Sequence, residues 1–192
     1  MSQVKISGNA SGTGVLTIAA PNTNTDRTLS LPDNTGDILT TSSTTTSKVP
    51  AFFLEIGSNQ TVTSAVFTKI QFDVGTGAGF DTANYWDSTN HRYTPQIAGY
   101  YQIQAKVRMT YSTMTQHNIQ VYKNGSSLHQ IALLRGQTSA SEAGGSVIVQ
   151  LNGSTDYVEI YNSLTGTGTI KIDTSADGIS PTYVQGFLVA PT

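Results

Sequence analysis

The chain has 192 residues, of which 37% are hydrophobic and only 11% charged, with ten basic against twelve acidic residues and a formal net charge of −2. That length suits one good-sized domain with an appendage and a core that needs no staples, while the absence of cysteine removes disulfides, thiolate chemistry and zinc–sulfur sites together. The basic residues are scattered, the closest being Lys106 and Arg108, which excludes a stripe of phosphate contacts and hence nucleic acid as a partner; no apolar run is long enough to insert into a membrane.

The start, Met1-Ser-Gln-Val-Lys5, has no basic region leading into an apolar one, so no signal peptide is expected. What charge and apolar residues leave unfilled is taken up by Thr, Ser, Asn, Gln and Gly, a composition that suits short strands joined by polar turns. No segment carries apolar residues at helical spacing for three turns. The expected fold class is therefore all-β.

Residues 1–41 read as a β-rich N-terminal arm. Strands are predicted over 14–20, 27–31 and 36–41, separated by Pro21-Asn-Thr-Asn24 and Pro32-Asp-Asn-Thr-Gly36, both turn-forming. Their apolar residues, Leu16, Ile18, Leu29, Leu31, Ile38 and Leu39 with Val15, are too few for a private core, so the arm must pack on copies of itself or on another protein. Residues 42–48 continue a Ser/Thr run that cannot offset its ordering entropy by burial, and read as a linker.

Residues 49–192 read as a run of about ten strands: 51–56, 65–72, 79–85, 91–95, 101–111, 118–123, 127–134, 145–151, 157–162, 169–173 and 182–189. The clearest is 101–111. There Tyr101, Ile103, Ala105, Val107, Met109 and Tyr111 share one face, and Gln102, Gln104, Lys106, Arg108 and Thr110 the other. Such alternation marks a sheet with one buried and one wet side. Asn124-Gly125 between two strands predicts a tight type I′ hairpin, and Asn152-Gly153 punctuates another pair. Together these predict a β-sandwich or jelly roll.

No residue cluster suggests catalysis, a cofactor or a metal. His91, His117 and His129 lack metal-ligand spacing and are expected in loops or on the surface. The Gly75-Thr-Gly77-Ala-Gly79 run has no helix after it and reads as an inter-strand loop, not a phosphate cradle. The stretch from Asp173 to Gly178 lacks the closing glutamate of a calcium loop and reads as a solvated turn.

From 67 to 123 the chain resembles the globular head domains of the complement one-q family, within the tumour-necrosis-factor-like jelly rolls. That family's pattern of acidic or amide residue, two aromatics, glycine and tyrosine falls here on Asp81, Trp86, Tyr93, Gly99 and Tyr101. Val121-Tyr-Lys-Asn-Gly125 resembles its hairpin, and Asp156–Ile160 and Gly186–Val189 its last strands. The resemblance implies a ten-stranded jelly-roll sandwich forming a homotrimer, with strands near the chain ends by the threefold axis. Phe52, Tyr157, Tyr161, Tyr183 and Phe187 are then candidates for the trimer contact, in preference to a sugar platform. Some relatives bind calcium near the top of the trimer, so a loop ion site beside Asp81 and Asp87 stays open as the alternative to a plain turn.

Residues 12–40 resemble a segment common in tailed-phage fibre and virion proteins, where it precedes an exposed head. Joined to a cysteine-free head, this implies a non-enzymatic virion component assembled in the host cytoplasm. Residues 1–41, through the six leucines and isoleucines named above, would dock on capsid or tail proteins. A capsid decoration protein or head fibre is preferred, because the chain lacks a long repetitive shaft. The alternative is a tail-fibre or receptor-binding adhesin recognising a host surface glycan or protein.

Overall fold

The computed structural model describes residues 11–14, 17, 22–26, 28, 49–73, 79–174 and 181–192. The chain forms two compact units, Met1–Thr45 and Thr46–Thr192. The strands expected in the arm fall largely, and Leu16, Ile18, Leu29, Leu31, Ile38 and Leu39 entirely, outside the described residues. The same holds for the 42–48 linker, for Gly75 and Gly77, and for the end of the Asp173–Gly178 turn.

The second unit is built from strands, and no described residue is helical. In chain order they are β1 (Ala51–Ile56), β2 (Gln60–Thr61), β3 (Thr68–Lys69), β4 (Phe72–Asp73), β5 (Phe80–Asp81) and β6 (Trp86–Asp87). They continue with β7 (Arg92–Tyr93), β8 (Ala98–Lys123), β9 (Ser126–Asn152), β10 (Val158–Thr167), β11 (Lys171–Ile172) and β12 (Tyr183–Pro191). All pairings are antiparallel, in the order β4-β1-β12-β8-β10-β7-β6, with β9 alongside β8.

Twelve strands form where about ten were expected: β2 and β6 were not predicted and 65–72 divides into β3 and β4, while other strands predicted as separate are continuous. Segments 101–111 and 118–123 belong to β8, of 26 residues, and 127–134 and 145–151 to β9, of 27. The polar residues between them lack alternation, but they keep pairing across the ladder, where Thr113 faces Thr138 and Gln116 faces Arg135. The long ladder is irregular there. Its register shifts between Thr110 and Thr113, and Ser139 adopts a φ of 67°. A bulge of this kind bends a strand and strengthens its twist. At the tip, Asn124 (φ 53°) and Gly125 (φ 78°) make the predicted type I′ turn.

The bend lets one hairpin serve two sheet regions. Residues 99–106 of β8 pair with β12, which pairs with β1, and β1 with β4 and β5. Residues 113–123 of β8 pair with β10, which also pairs with β3 and β7. Both regions turn apolar residues to one core. Tyr101, Ile103, Ala105, Val107 and Met109 of the first β8 segment are fully buried, as are Ile119 and Val121 of the second. The core continues through Phe52, Leu54, Leu151, Leu164, Ile172 and Val184. At about 1.5–3 kcal/mol for each buried large apolar side chain, this cluster is the main source of stability.

Candidate functional site

Three groups of residues carry enough chemistry to be weighed as a site. The first is the motif constellation, which gathers at one end of the core. Asp81 Oδ1 accepts the Ala83 N–H at 3.1 Å and Oδ2 the Trp86 N–H at 2.7 Å, so its carboxylate closes the turn between β5 and β6. Trp86 and Tyr93 face each other across β6 and β7. Tyr93 is fully buried, stacks on Phe52 with centroids 4.2 Å apart and meets Tyr101 edge-on at 5.9 Å. Tyr101 donates its hydroxyl to the Ile97 carbonyl at 2.8 Å. Burial pushes the Tyr101 hydroxyl pKa up to about 12 and that of Tyr93 higher still. At Gly99, a Cβ would collide with the Ala190 carbonyl and the Leu188 side chain, so only glycine lets β12 close on β8. These five residues pack into and pin one end of the fold.

Phe52 corrects an expectation. It is 1% exposed and packs between Trp86 and Tyr93, so it has no surface to give a second chain. Its alternation partner Phe53 is the one on the outer face. The other four contact candidates divide between two places. Tyr183 and Phe187 stand on the outer face of β12. Tyr157 immediately precedes β10, with Arg92 over its ring at 4.5 Å, and Tyr161, on β10, stacks on Tyr122 at 3.9 Å. They do not form one aromatic patch.

The second group is buried and polar. His117 is fully buried, against the expectation of a surface or loop histidine. Its Nδ1 lies 3.0 Å from Ser141 Oγ and its Nε2 lies 2.7 Å from Asn162 Oδ1. The Asn162 amide donates to Met109 Sδ at 3.3 Å. With Asn162 accepting, Nε2 carries the ring proton and Nδ1 accepts from the serine hydroxyl. Burial pushes the histidine pKa down to about 4, opposed by its bond to Asn162. Serine, histidine and asparagine in hydrogen-bonded series are the residue types of nucleophilic catalysis. With Ser141 8% exposed and the other two at 0%, no substrate reaches the hydroxyl. The trio ties β9, β8 and β10 together across the core. Sequence reading missed it, although His117 lies in phase with the inward Ile119 and Val121, and Asn162 with Val158 and Ile160.

The third group is the outer face of β5, β1, β12, β8 and β9. Register aligns Phe80 with Phe53 across β5 and β1, and Ala51, Phe187, Gln102 and Ile148 in the next row. Phe80, Phe187 and Ile148 are 49%, 44% and 56% exposed, and Tyr183 leans on Phe53 with centroids 5.4 Å apart. A cleft of about 310 Å³ opens between Phe80 and Phe187. Beside it, a polar cleft of about 330 Å³ is lined by Gln104, Lys106, Glu142 and Tyr183. Glu142 bonds Lys106, which holds its carboxyl below the usual range, and meets Arg108 Nη1 at 3.2 Å; Arg108 also faces Asp173 at 3.8 Å. Apolar rows beside a neutralised charge cluster make a surface suited to protein contact.

The loops offer little for a metal. Asp87 spends its oxygens on Thr89, Asn90 and Arg92, and Asp173 accepts from Thr110. His91 Nδ1 meets the Phe72 carbonyl at 2.9 Å. Among the described residues no three potential ligands cluster.

No protein-family profile and no curated protein sequence matches the chain. Solved structures do. The globular domain of the zebrafish complement 1qA protein is 12% identical over 74% of this chain and 99% of that one, with a TM-score of 0.51. The Eiger TNF of S. frugiperda is 9% identical over 76% and 96%, at 0.52. Murine APRIL, solved at pH 5.0, is 9% identical over 74% and 100%, at 0.54. The chain is thus similar in fold to the jelly-roll heads of the complement one-q and tumour-necrosis-factor proteins, at an identity that speaks for fold alone.

Proposed function

We propose that the chain is a non-catalytic structural component of a phage virion: a homotrimeric jelly-roll head exposed on the particle, with residues 1–41 as its anchor. The observation that carries the self-association is the apolar outer face around Phe53, Phe80, Phe187 and Ile148. Large aromatic side chains left half-exposed in adjacent rows are what a second chain covers. The particle assignment is supported by the text of residues 12–40 and its likeness to fibre and virion proteins. A capsid decoration protein or head fibre remains preferred over a tail fibre.

Two experiments test the parts separately. Light scattering of the purified chain is expected to give three times 20.4 kDa; a stable monomer refutes the trimer. Gold-labelled antibody against the head should decorate intact particles, over the capsid if the preferred location is right. Deleting residues 1–46 should abolish that decoration while leaving a folded trimer, and retained decoration refutes the anchor.

A further inference from the structure

On the outer side of β10 and the second half of β8 stands a ridge of rings unrelated to the face just described. Tyr122 and Tyr161 stack with centroids 3.9 Å apart and planes within 21°, and Phe67 extends the ridge at 6.4 Å from Tyr122. Strand register arranges the residues around it in three rows. Ser163 pairs with Asn118, then Tyr161 with Gln120, then Glu159 with Tyr122. At about 3.4 Å per residue the rows span about 14 Å.

The polar groups beside the rings are almost all uncharged. Gln120, half-buried, accepts from Ser127 through Oε1 at 2.8 Å, so its amide N–H groups are not engaged by that bond. Asn118 donates to the exposed Gln130 at 3.2 Å, yet its own Oδ1 is buried with no partner among the described residues. Asn118 is 6% exposed, so that unpartnered acceptor is a standing cost to the fold. The one charged pair in the rows, Lys69 with Glu159 at 3.0 Å, cancels itself, and Lys69 also donates to the Asn90 carbonyl.

The geometry points to an uncharged oligosaccharide as the ligand of this ridge. The apolar C–H face of a pyranose packs on the tyrosine and phenylalanine rings, while its hydroxyls, each both donor and acceptor, meet the amides of Gln120 and Gln130. A charged ligand finds no free opposite charge in these rows. A nucleic acid would use the rings but needs cations along its backbone. The inference does not depend on the virion assignment or on the trimer, since these residues lie apart from the Phe80–Phe187 face.

The test uses the full-length chain on an array of neutral gluco-, galacto-, manno- and N-acetylated oligosaccharides beside sialylated and uronate ones. The best neutral probe is then titrated by amide NMR. Shifts are expected at 118–122 and 159–163. Tyr122→Ala and Tyr161→Ala should each weaken binding about tenfold or more, and a change at the exposed Val49, Val49→Ala, should leave it unaltered. If an alanine variant loses its circular-dichroism signature, Gln120→Ala and Tyr161→Phe replace it; the first must weaken binding and the second retain most of it. No neutral probe bound, stronger binding of the acidic series, or shifts confined to other residues each overturns the assignment.

Discussion

Tyr93 lies flat on Phe52, ring centroids 4.2 Å apart, in a pocket closed to solvent on both sides. The pair joins β7 to β1 and shows that Phe52 works within its own chain. Phe52→Ala should cost about 3–5 kcal/mol. The Tyr93 hydroxyl is buried without a partner among the described residues, so Tyr93→Phe should be neutral or stabilising by up to about 1 kcal/mol. Urea melts of the two variants should move in these different directions. A large loss in Tyr93→Phe would reveal a hydroxyl partner and sink the reading.

The buried histidine predicts an acid limb of stability. His117 titrates near pH 4 in the fold, against its ordinary value of 6.5. Above pH 6.5 both folded and unfolded states are neutral and the group adds no slope. Between 6.5 and 4 the unfolded chain binds a proton that the folded chain refuses, so stability falls by about 1.4 kcal/mol per pH unit and then levels off. His117→Gln should remove that component from a plot of urea midpoint against pH. An unchanged slope would place the acid sensitivity elsewhere.

At the tip of the long hairpin, a Cβ on Gly125 would meet only the Tyr157 hydroxyl at 3.5 Å, an ordinary contact. The backbone there has a φ of 78°, which side chains resist. Gly125→Val should therefore destabilise by about 1–2 kcal/mol through conformation alone. Thermal melts of Gly125→Val and Gly125→Asn should rank valine well below asparagine.

Phe80 and Phe187 stand half-exposed on the sheet face assigned to self-association. Phe80→Ser with Phe187→Ser should leave circular dichroism intact and lower the mass in light scattering towards that of one chain, most clearly on dilution. An unchanged mass would move the contact to another face.

Alternation is a local property, and where it ran clean the tertiary structure followed it. The inward set Tyr101 to Met109, the β1 and β12 strands and the Asn124-Gly125 turn were all legible, because period-two burial and positive φ are written in neighbouring residues. The lock of Asp81, Trp86, Tyr93, Gly99 and Tyr101 was visible as a pattern, though not as a set of contacts.

The rest depended on what the chain meets far away. The Thr- and Ser-rich middle of the hairpin has no periodicity, so only cross-strand pairing could show that β8 and β9 continue through it and bend. The same bend puts His117, Ser141 and Asn162, well separated in sequence, within hydrogen-bond reach. Aromatic identity could not say which face Phe52, Tyr161 or Phe187 takes. That is decided by strand phase and by which sheet region each strand joins, since one residue of register moves a ring from core to solvent. All-β character and the hairpin turn thus came from the residues themselves, while the buried triad, the apolar face and the tyrosine ridge exist only once distant strands are paired.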